Sequence, residues 1–270
     1  MIMKTVYSFL IFTGFIVACS PTKKTGSIPQ GQLPSIAIQG KLFATAFMQR
    51  SAEYHALCLQ AFNIARLRFD EALKQSSSKP RAIITDVDET ILDNSAEEVN
   101  RSLQGISFNP VDWKKWTDMA AADTIPGALG FLKYAATKNV EIFYITNRDE
   151  NDRAGTLRNL QKFGFPNTDD EHLLVKQTTS GKEARRQQVM ADYDVVLLLG
   201  DNLSDFSMLF DKKSNEERLQ AAKQLSAQFG DRFIVLPNPV YGDWELALYQ
   251  YKQLSTAQKD SAIKSWLKSY

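Results

Sequence analysis

Cysteine and histidine are nearly missing from this 270-residue sequence, with two of each. Cys19 and Cys58 can form at most one bridge, which excludes a disulfide-stapled scaffold, and they are too few for a zinc cluster. Neither His55 nor His172 has a partner motif around it, so both read as structural or exposed. A charge excess of either sign is missing too. Lys and Arg number 32, Asp and Glu 31, for a net charge of +1. That balance excludes the basic field of a binder of nucleic-acid polymers and the acidic tail of a solvating chain. Any anionic ligand must be held by local groups. The apolar run Val6 to Val17 falls short of the ~20 residues of a comfortable membrane-spanning helix. No internal repeat or low-complexity tract is present.

What is present is an ordinary globular balance of 44% hydrophobic and 23% charged residues, enough for one large domain or a core with an appendage. Residues 1–19 fit a targeting segment, with Lys4 as the positive start and Val6 to Val17 as the apolar core. It ends Ile16-Val17-Ala18-Cys19, which resembles the bacterial lipoprotein signal and makes Cys19 the expected lipidation site. Stable anchoring takes more than one acyl chain. Residues 20–39 are rich in Ser, Thr, Lys, Gly, Pro and Gln toward their start and read as a flexible tether to a folded part over 40–270. Cys58, left alone, lies in a helical apolar pattern and reads as a buried structural thiol.

Residues 41–75 carry apolar residues at helical intervals, and Ser76-Ser77-Ser78-Lys79-Pro80 ends them. From Arg81 onward strands and helices alternate. Strands are predicted at 82–86, 140–146, 172–176, 195–200 and 232–236. Helices are predicted at 127–138, 151–163, 181–191, 205–211, 215–229, 243–252 and 256–268. This pattern predicts an α/β fold, a Rossmann-like core over about 80–240 whose mainly parallel sheet is flanked by helices. A smaller, mainly helical cap or accessory part is expected from 40–78, 94–125 and the C-terminal helices. The stretch 94–125 follows the first strand directly and is a natural cover for the crevice at the strand ends.

Four segments fall where a predicted strand ends or a helix starts: Asp86-Val87-Asp88-Glu89-Thr90, Thr146-Asn147-Arg148, Lys182 after Ser180-Gly181, and Gly200-Asp201-Asn202-Leu203-Ser204-Asp205. One edge of a parallel sheet brings such segments to one crevice. Converging carboxylates from Asp86, Asp88, Asp201 and Asp205 are untenable without a cation. Oxygen-only ligation suits a hard ion, with Mg2+ the expected cofactor, and magnesium in turn favours a phosphate ligand. Thr146 and Asn147 can donate hydrogen bonds to phosphate oxygens, and Lys182 adds a positive charge. One carboxylate could attack phosphorus, and a second could move the proton of the leaving group. Cysteine-based chemistry lacks its phosphate-cradling loop after Cys58, and histidine-based chemistry lacks its residues. The pairs Arg185-Arg186 and Lys212-Lys213 read as solvated helix faces.

These motifs, with Leu92-Asp93-Asn94-Ser95, Phe206, Gln49 to Tyr54, Leu236-Pro237-Asn238 and Tyr241-Gly242-Asp243-Trp244, resemble the signatures of the class C bacterial acid phosphatases of the haloacid-dehalogenase (HAD) superfamily, which include the lipoprotein e type outer-membrane 5'-nucleotidases. The resemblance runs from about Met48 to Trp244. It implies Asp86 as nucleophile and metal ligand. It implies Asp88 as general acid and base, with its backbone carbonyl on the metal, and Asp201 and Asp205 as metal ligands. Thr146 and Asn147 would bind phosphoryl oxygens, and Lys182 would offset the charge around Asp86. Arg148 belongs to the motif without an assigned contact. Trp113 and Tyr241 best match the aromatics that hold the nucleoside, with Tyr54 and Trp116 as further candidates. The implied partners are a small organic phosphate such as a nucleotide, a membrane reached through the lipid anchor only, and a second copy in a homodimer. The implied location is the bacterial cell envelope, on the outer membrane. The chain departs from its relatives after Ser95, where Ala-Glu-Glu-Val-Asn replaces prolines and aromatics. A broader metabolite or sugar phosphatase, a phosphotransferase, and a non-catalytic ligand-binding surface lipoprotein are the alternatives.

Overall fold

Serine caps open the first two helices. The computed structural model describes residues 35–270. Within them α1 (Ile36–Arg50) starts on Ser35, whose hydroxyl accepts from the Ile38 amide, and α2 (Ala52–Ala72) starts in the same way on Ser51. Residues 1–34, which hold the expected targeting segment, Cys19 and most of the expected tether, lie outside the described residues. Helix α1 begins inside the stretch read as tether, four residues before position 40. Then follow β1 (Arg81–Thr85), β2 (Leu92–Asp93), α3 (Ser95–Gln104), α4 (Pro110–Met119), β3 (Asp123–Thr124), α5 (Ala128–Ala136), β4 (Glu141–Ile145), α6 (Arg153–Phe163), β5 (Leu173–Leu174), α7 (Glu183–Asp192), β6 (Asp194–Gly200), α8 (Asn215–Gln224), β7 (Phe233–Val235), α9 (Asp243–Leu248) and α10 (Thr256–Trp266). The helix predicted at 205–211 is instead two tight turns, Leu203–Asp205 and Met208–Phe210. The Asp205 carboxylate accepts from the Asn202 amide (3.0 Å), which winds the chain too tightly for an α-helix. Among the described residues no helix is long and apolar enough to cross a membrane.

Five strands pair in parallel in the order β5-β4-β1-β6-β7. The chain runs outward from β1 to β4 and β5, then returns to lay β6 and β7 on the other side. The order reverses between β1 and β6, and ligands of such sheets bind at that switch, beyond the carboxyl ends of the strands. Ile83, Ile142, Tyr144, Leu197 and Leu199 meet Phe62, Phe69, Phe131 and Leu132 of α2 and α5 on one face. Ala82, Ile84, Phe143, Ile145, Val195 and Leu198 meet Val189 of α7 and Phe206 on the other. Cys58 is buried in the first of these clusters.

Helix α2 was expected in the accessory part, but it packs on α5, β6 and β7 and so covers the sheet. The reason is its unbroken buried stripe of Cys58, Ala61, Phe62, Ala65 and Phe69. Helix α1 packs on α3 and α10. The stretch after β1 is an insertion closed by its own antiparallel pair, with Leu92 opposite Thr124 and Asp93 opposite Asp123. Helices α3 and α4 lie between these two strands in sequence. Helix α4 is held on α6 at Gly155, where any Cβ would strike the Thr117 carbonyl.

Candidate active site

The Asp86 amide donates to the Leu199 carbonyl (2.9 Å), so pairing with β6 continues one residue past β1. The chain then doubles back, and the Ile91 and Leu92 amides both donate to the Val87 carbonyl at 3.0 and 2.9 Å. Glu89 takes the left-handed conformation in this turn, with φ +57°. Its buried carboxylate holds the turn by accepting from the Asn94 amide (2.8 Å). On the facing strand, Ala82 pairs with Val195 but Ile83 pairs with Leu197, so Val196 is an extra residue. This bulge puts Val196 and Leu197 on the same face and shifts the alternation of everything after them. Leu197 and Leu199 therefore lie on the face opposite Val195, and Asp201, two residues after Leu199, leaves the strand in that phase.

Gly200 ends β6 because a side chain has no room there: a Cβ would lie 2.6 Å from the Asp205 Cβ and from its Oδ2. Gly200→Ala is expected to cost about 1–3 kcal/mol of stability by overpacking. It should reduce turnover by more than that loss of folded protein explains, because Asp205 must shift. Chemical denaturation and a phosphatase assay at matched folded fraction check this, and unchanged activity would contradict it.

Asp86, Asp201 and Asp205 each offer a carboxylate oxygen, all within 4.8 Å of one another. The Lys182 ammonium ion-pairs with Asp86 Oδ1 and lies 2.6 Å from Asp205 Oδ1. The Thr90 hydroxyl bridges Asp86 Oδ2 (3.3 Å) and Asp201 Oδ1 (3.2 Å). Asn238 donates to Asp201 Oδ2 (2.7 Å). One lysine cannot neutralise three carboxylates, two of them buried and the third, Asp201, half-buried. Burial pushes the Asp86 carboxyl up, with Lys182 opposing and Asp205 and Asp88 adding to the shift. Burial, then Asp86 and Asp205, hold Asp201 well above the usual carboxylate range. Burial alone would lower the Lys182 ammonium, but Asp205 and Asp86 reverse the sign and raise it to about 12. An all-oxygen, electron-rich, partly protonated set of this kind fits a hard divalent cation.

The titration has a testable sign. Asp86 and Asp201 bind protons more tightly folded than unfolded, where their values sit near ~4. As pH rises through the raised values, the folded form is left with like charges and its stability falls. The gain in Tm on adding saturating magnesium is therefore expected to be larger at about pH 8 than at about pH 5, because only the deprotonated site binds a cation without displacing protons. A gain independent of pH would contradict a carboxylate site.

Asp88 stands apart from this cluster. Its half-buried carboxylate accepts at Oδ1 from Arg148 Nη2 (2.8 Å), Arg148 Nε (3.0 Å) and Asn94 Nδ2 (2.9 Å). At Oδ2 it accepts from the Thr146 hydroxyl (3.2 Å). Thr146 is fully buried, between Asp88 and the Arg148 amide, which donates to its Oγ1 (3.1 Å). Asn147 is exposed, and its Oδ1 accepts from Arg185 Nη2 (2.9 Å), which turns the amide NH2 away from Arg185. Arg148 has its guanidinium under Trp113, 5.4 Å from that ring's centre. Trp113 is half-buried, whereas Trp116 packs on the core and donates to Asn94 Oδ1 (2.8 Å). Tyr241 packs at the core's margin, and its amide donates to Asn238 Oδ1 (3.3 Å), the residue that also holds Asp201. Tyr54 is placed differently from the other aromatics, buried in the core at 2% exposure.

The arginine pair 185–186 is not a solvated face. Arg185 donates to the Thr146 carbonyl (2.5 Å) and the Leu174 carbonyl (3.2 Å). Arg186 donates to the Ser204 and Asp205 carbonyls, both at 2.8 Å. Both are buried because strand-end loops leave carbonyls without partners, and α7 carries these guanidinium groups to them. Lys212 and Lys213 lie in a turn before α8, not on a helix. Sequence reasoning also missed the roles of Thr90, Asn94 and Asn238. All three sat inside quoted motifs, so the signal was present, but part of each set of partners comes from distant segments: Asp201 for Thr90 and Asn238, and Arg148 for Asn94.

The family model for HAD superfamily, subfamily IIIB (acid phosphatase), matches residues 32–244. The chain is similar to the class C acid phosphatase of Bacillus anthracis, with 42% identity and a TM-score of 0.84 over 87% of this chain and 99% of that one. A structure of the same bacterial protein with tungstate bound matches equally, with 42% identity and a TM-score of 0.84. Among curated relatives, acid phosphatase 1 of Solanum lycopersicum is 26% identical over 167 residues, and the stem 31 kDa glycoprotein of Glycine max is 25% identical over 161. The chain spans 57% of the length of each of these two plant proteins. With a family match over most of its length and a structural match at 42% identity, the chain belongs to the acid phosphatases of HAD subfamily IIIB, a family of phosphoric monoester hydrolases.

Proposed function

We propose that this protein hydrolyses nucleoside 5'-monophosphates and similar small phosphate monoesters, with magnesium, through an aspartyl-phosphate on Asp86. The observation that carries this reading is Asp86 at the switch-point strand end, in contact with Lys182 and clustered with Asp201 and Asp205. An Asp86 carboxylate oxygen forms a bond to phosphorus while the ester P–O bond breaks, and Asp88 gives the departing oxygen its proton. Water then loses a proton to Asp88 and adds to phosphorus, the Asp86 O–P bond breaks, and phosphate is released. Asp86, Asp201 and Asp205, with the Asp88 carbonyl, would hold the magnesium ion, which when bound offsets the charge of carboxylates and phosphate. Lys182 stabilises charge on the same side, the Asn147 NH2 orients phosphoryl oxygens, and the Thr146 hydroxyl, expected to do the same, is instead donated to Asp88.

Trp113 and Tyr241 supply the aromatic surface for the leaving group, while Tyr54, buried in the core, is not offered to it. Lipidation at Cys19 would tether the enzyme to the outer membrane of the cell envelope, where it would act as a homodimer on small phosphates. Phosphate release from AMP, glucose 6-phosphate and p-nitrophenyl phosphate, with magnesium and with chelator, tests the core of this reading. Absence of magnesium-dependent release from all three would sink it. Trp113→Ala is expected to raise KM for AMP about tenfold, the size of a lost base–aromatic stack, and to change p-nitrophenyl phosphate much less. Equal losses would mean that Trp113 only packs.

A further inference from the structure

Two features are left over from the site: Arg148, whose guanidinium is buried at 3% exposure, and the buried charged residues of α3 after Ser95. The structure joins them. In that helix Arg101 donates to Glu97 Oε1 and Glu98 Oε2, both at 2.6 Å, and Ser102 donates to Glu98 Oε1 (2.7 Å). All four residues are buried in α3. The Arg101 guanidinium lies 5.6 Å from the centre of the Phe108 ring. Phe108 and Trp113 have ring centres 6.0 Å apart. Trp113 in turn covers Arg148, and Arg148 grips Asp88 with Nε and Nη2. A continuous column, Arg101–Phe108–Trp113–Arg148, thus runs from the ionic triad of the insertion to the carboxylate of Asp88.

We propose that Arg101 and Phe108 are positioning residues that brace Trp113 and Arg148 and thereby hold Asp88 in register with the leaving oxygen. The inference rests on the reading of Asp88 as the proton donor. Two cations face aromatic rings here, and each such contact contributes modestly on its own. Their arrangement in series matters more, because Trp113 contacts both Phe108 and the Arg148 guanidinium, which Thr156 holds from its other end (3.0 Å), so a shift of Phe108 is passed to Arg148 through one ring. The triad fixes the far end: Arg101 cannot swing away without leaving two buried carboxylates, Glu97 and Glu98, unpaired. Phe108 is itself 57% exposed, so nothing in the core requires an aromatic ring there. Asn94 reinforces the same end of the column, donating to Asp88 Oδ1 and accepting from Arg148 Nη2 (3.3 Å).

Leaving groups report the position of Asp88. An alkoxide leaves only with a proton, whereas p-nitrophenolate leaves without one. Phe108→Leu, at an exposed position that spares the fold, is expected to lower kcat/KM for AMP and glucose 6-phosphate, which reports the step in which the leaving group departs, about three- to fivefold, the size of one lost cation–π contact. It should leave kcat/KM for p-nitrophenyl phosphate nearly unchanged, whereas kcat, which includes the hydrolysis step common to all esters, is not the readout. Phe108→Tyr keeps the ring and should restore the wild-type ratio. The combined replacement Glu97→Gln, Glu98→Gln, Arg101→Met removes the triad without stranding a buried charge and should shift the ratio in the same direction as Phe108→Leu. An active wild-type enzyme whose ratio is unmoved by Phe108→Leu, or a variant equally slow on all three esters, overturns the brace alone. A wild-type protein inactive on all three esters overturns the phosphatase reading and the brace with it.

Discussion

Asp86→Asn is expected to lower phosphate release by at least ~10⁴-fold, the usual scale for removing a nucleophile whose partners stay in place. The amide has nearly the shape of the carboxylate and fits the same slot after β1, so the loss belongs to chemistry and not to folding. Stability should move the other way. Asp86 shares Lys182 with Asp205 and faces Asp201 across the Thr90 hydroxyl. Removing one of three crowded carboxylates relieves repulsion, so the cation-free variant should melt at or above the wild-type temperature. The gain in Tm from magnesium should shrink, because one ligand oxygen is weakened. Acid-quenched enzyme should carry covalent phosphate in the wild type and none in the variant. Substantial turnover by the variant, or covalent phosphate on it, would remove Asp86 from the reaction.

Lys182→Met is expected to be damaging in two separable ways. The ammonium is 4% exposed and touches two buried carboxylates, so the variant strands Asp86 and Asp205 together. Breaking a buried pair costs about 3–5 kcal/mol when the remaining charge cannot escape. Here it can escape by protonation. The deficit relative to wild type should therefore be smallest near about pH 5, below the raised value of Asp86, and grow toward about pH 8. Added magnesium should recover part of the stability but not the rate, which falls about 10²–10³-fold with the loss of one fixed charge beside the reacting group. Thermal melts across pH, together with turnover at saturating magnesium, separate the two effects. A stability deficit that does not depend on pH would mean that the lysine stem, and not its charge, holds this part of the fold.

Much of this site was legible in the chain because its parts follow a rule of parallel sheets. Apolar runs ending in Asp86, Thr146 and Gly200-Asp201 mark strand ends, and strand ends share one edge. The cluster of Asp86, Asp201 and Asp205 with Lys182 follows from that rule and from charge. Asp88 was expected to converge with the other carboxylates because it sits in the same strand-end segment as Asp86. The turn after Asp86 places it on Arg148 instead. The arginines of α7 were misread for a different reason. Local sequence shows two adjacent cations on a polar helix, and nothing local shows the carbonyls of Thr146, Leu174, Ser204 and Asp205 that take them up.

The sequence by itself determined the α/β alternation, the order of the strand-end motifs and the chemistry of the acidic set, because these depend on residue type and short-range spacing. Tertiary structure alone decided which carboxylates share a lysine, which one is gripped by Arg148, and that Arg185 and Arg186 are buried. It also decided that α2 covers the sheet, and that the bulge at Val196 sets the phase in which Asp201 leaves β6. These depend on which distant groups meet across the switch between β1 and β6. A buried charge or an unpartnered carbonyl takes whatever partner the packed chain brings within reach, and that choice is not written in any single segment.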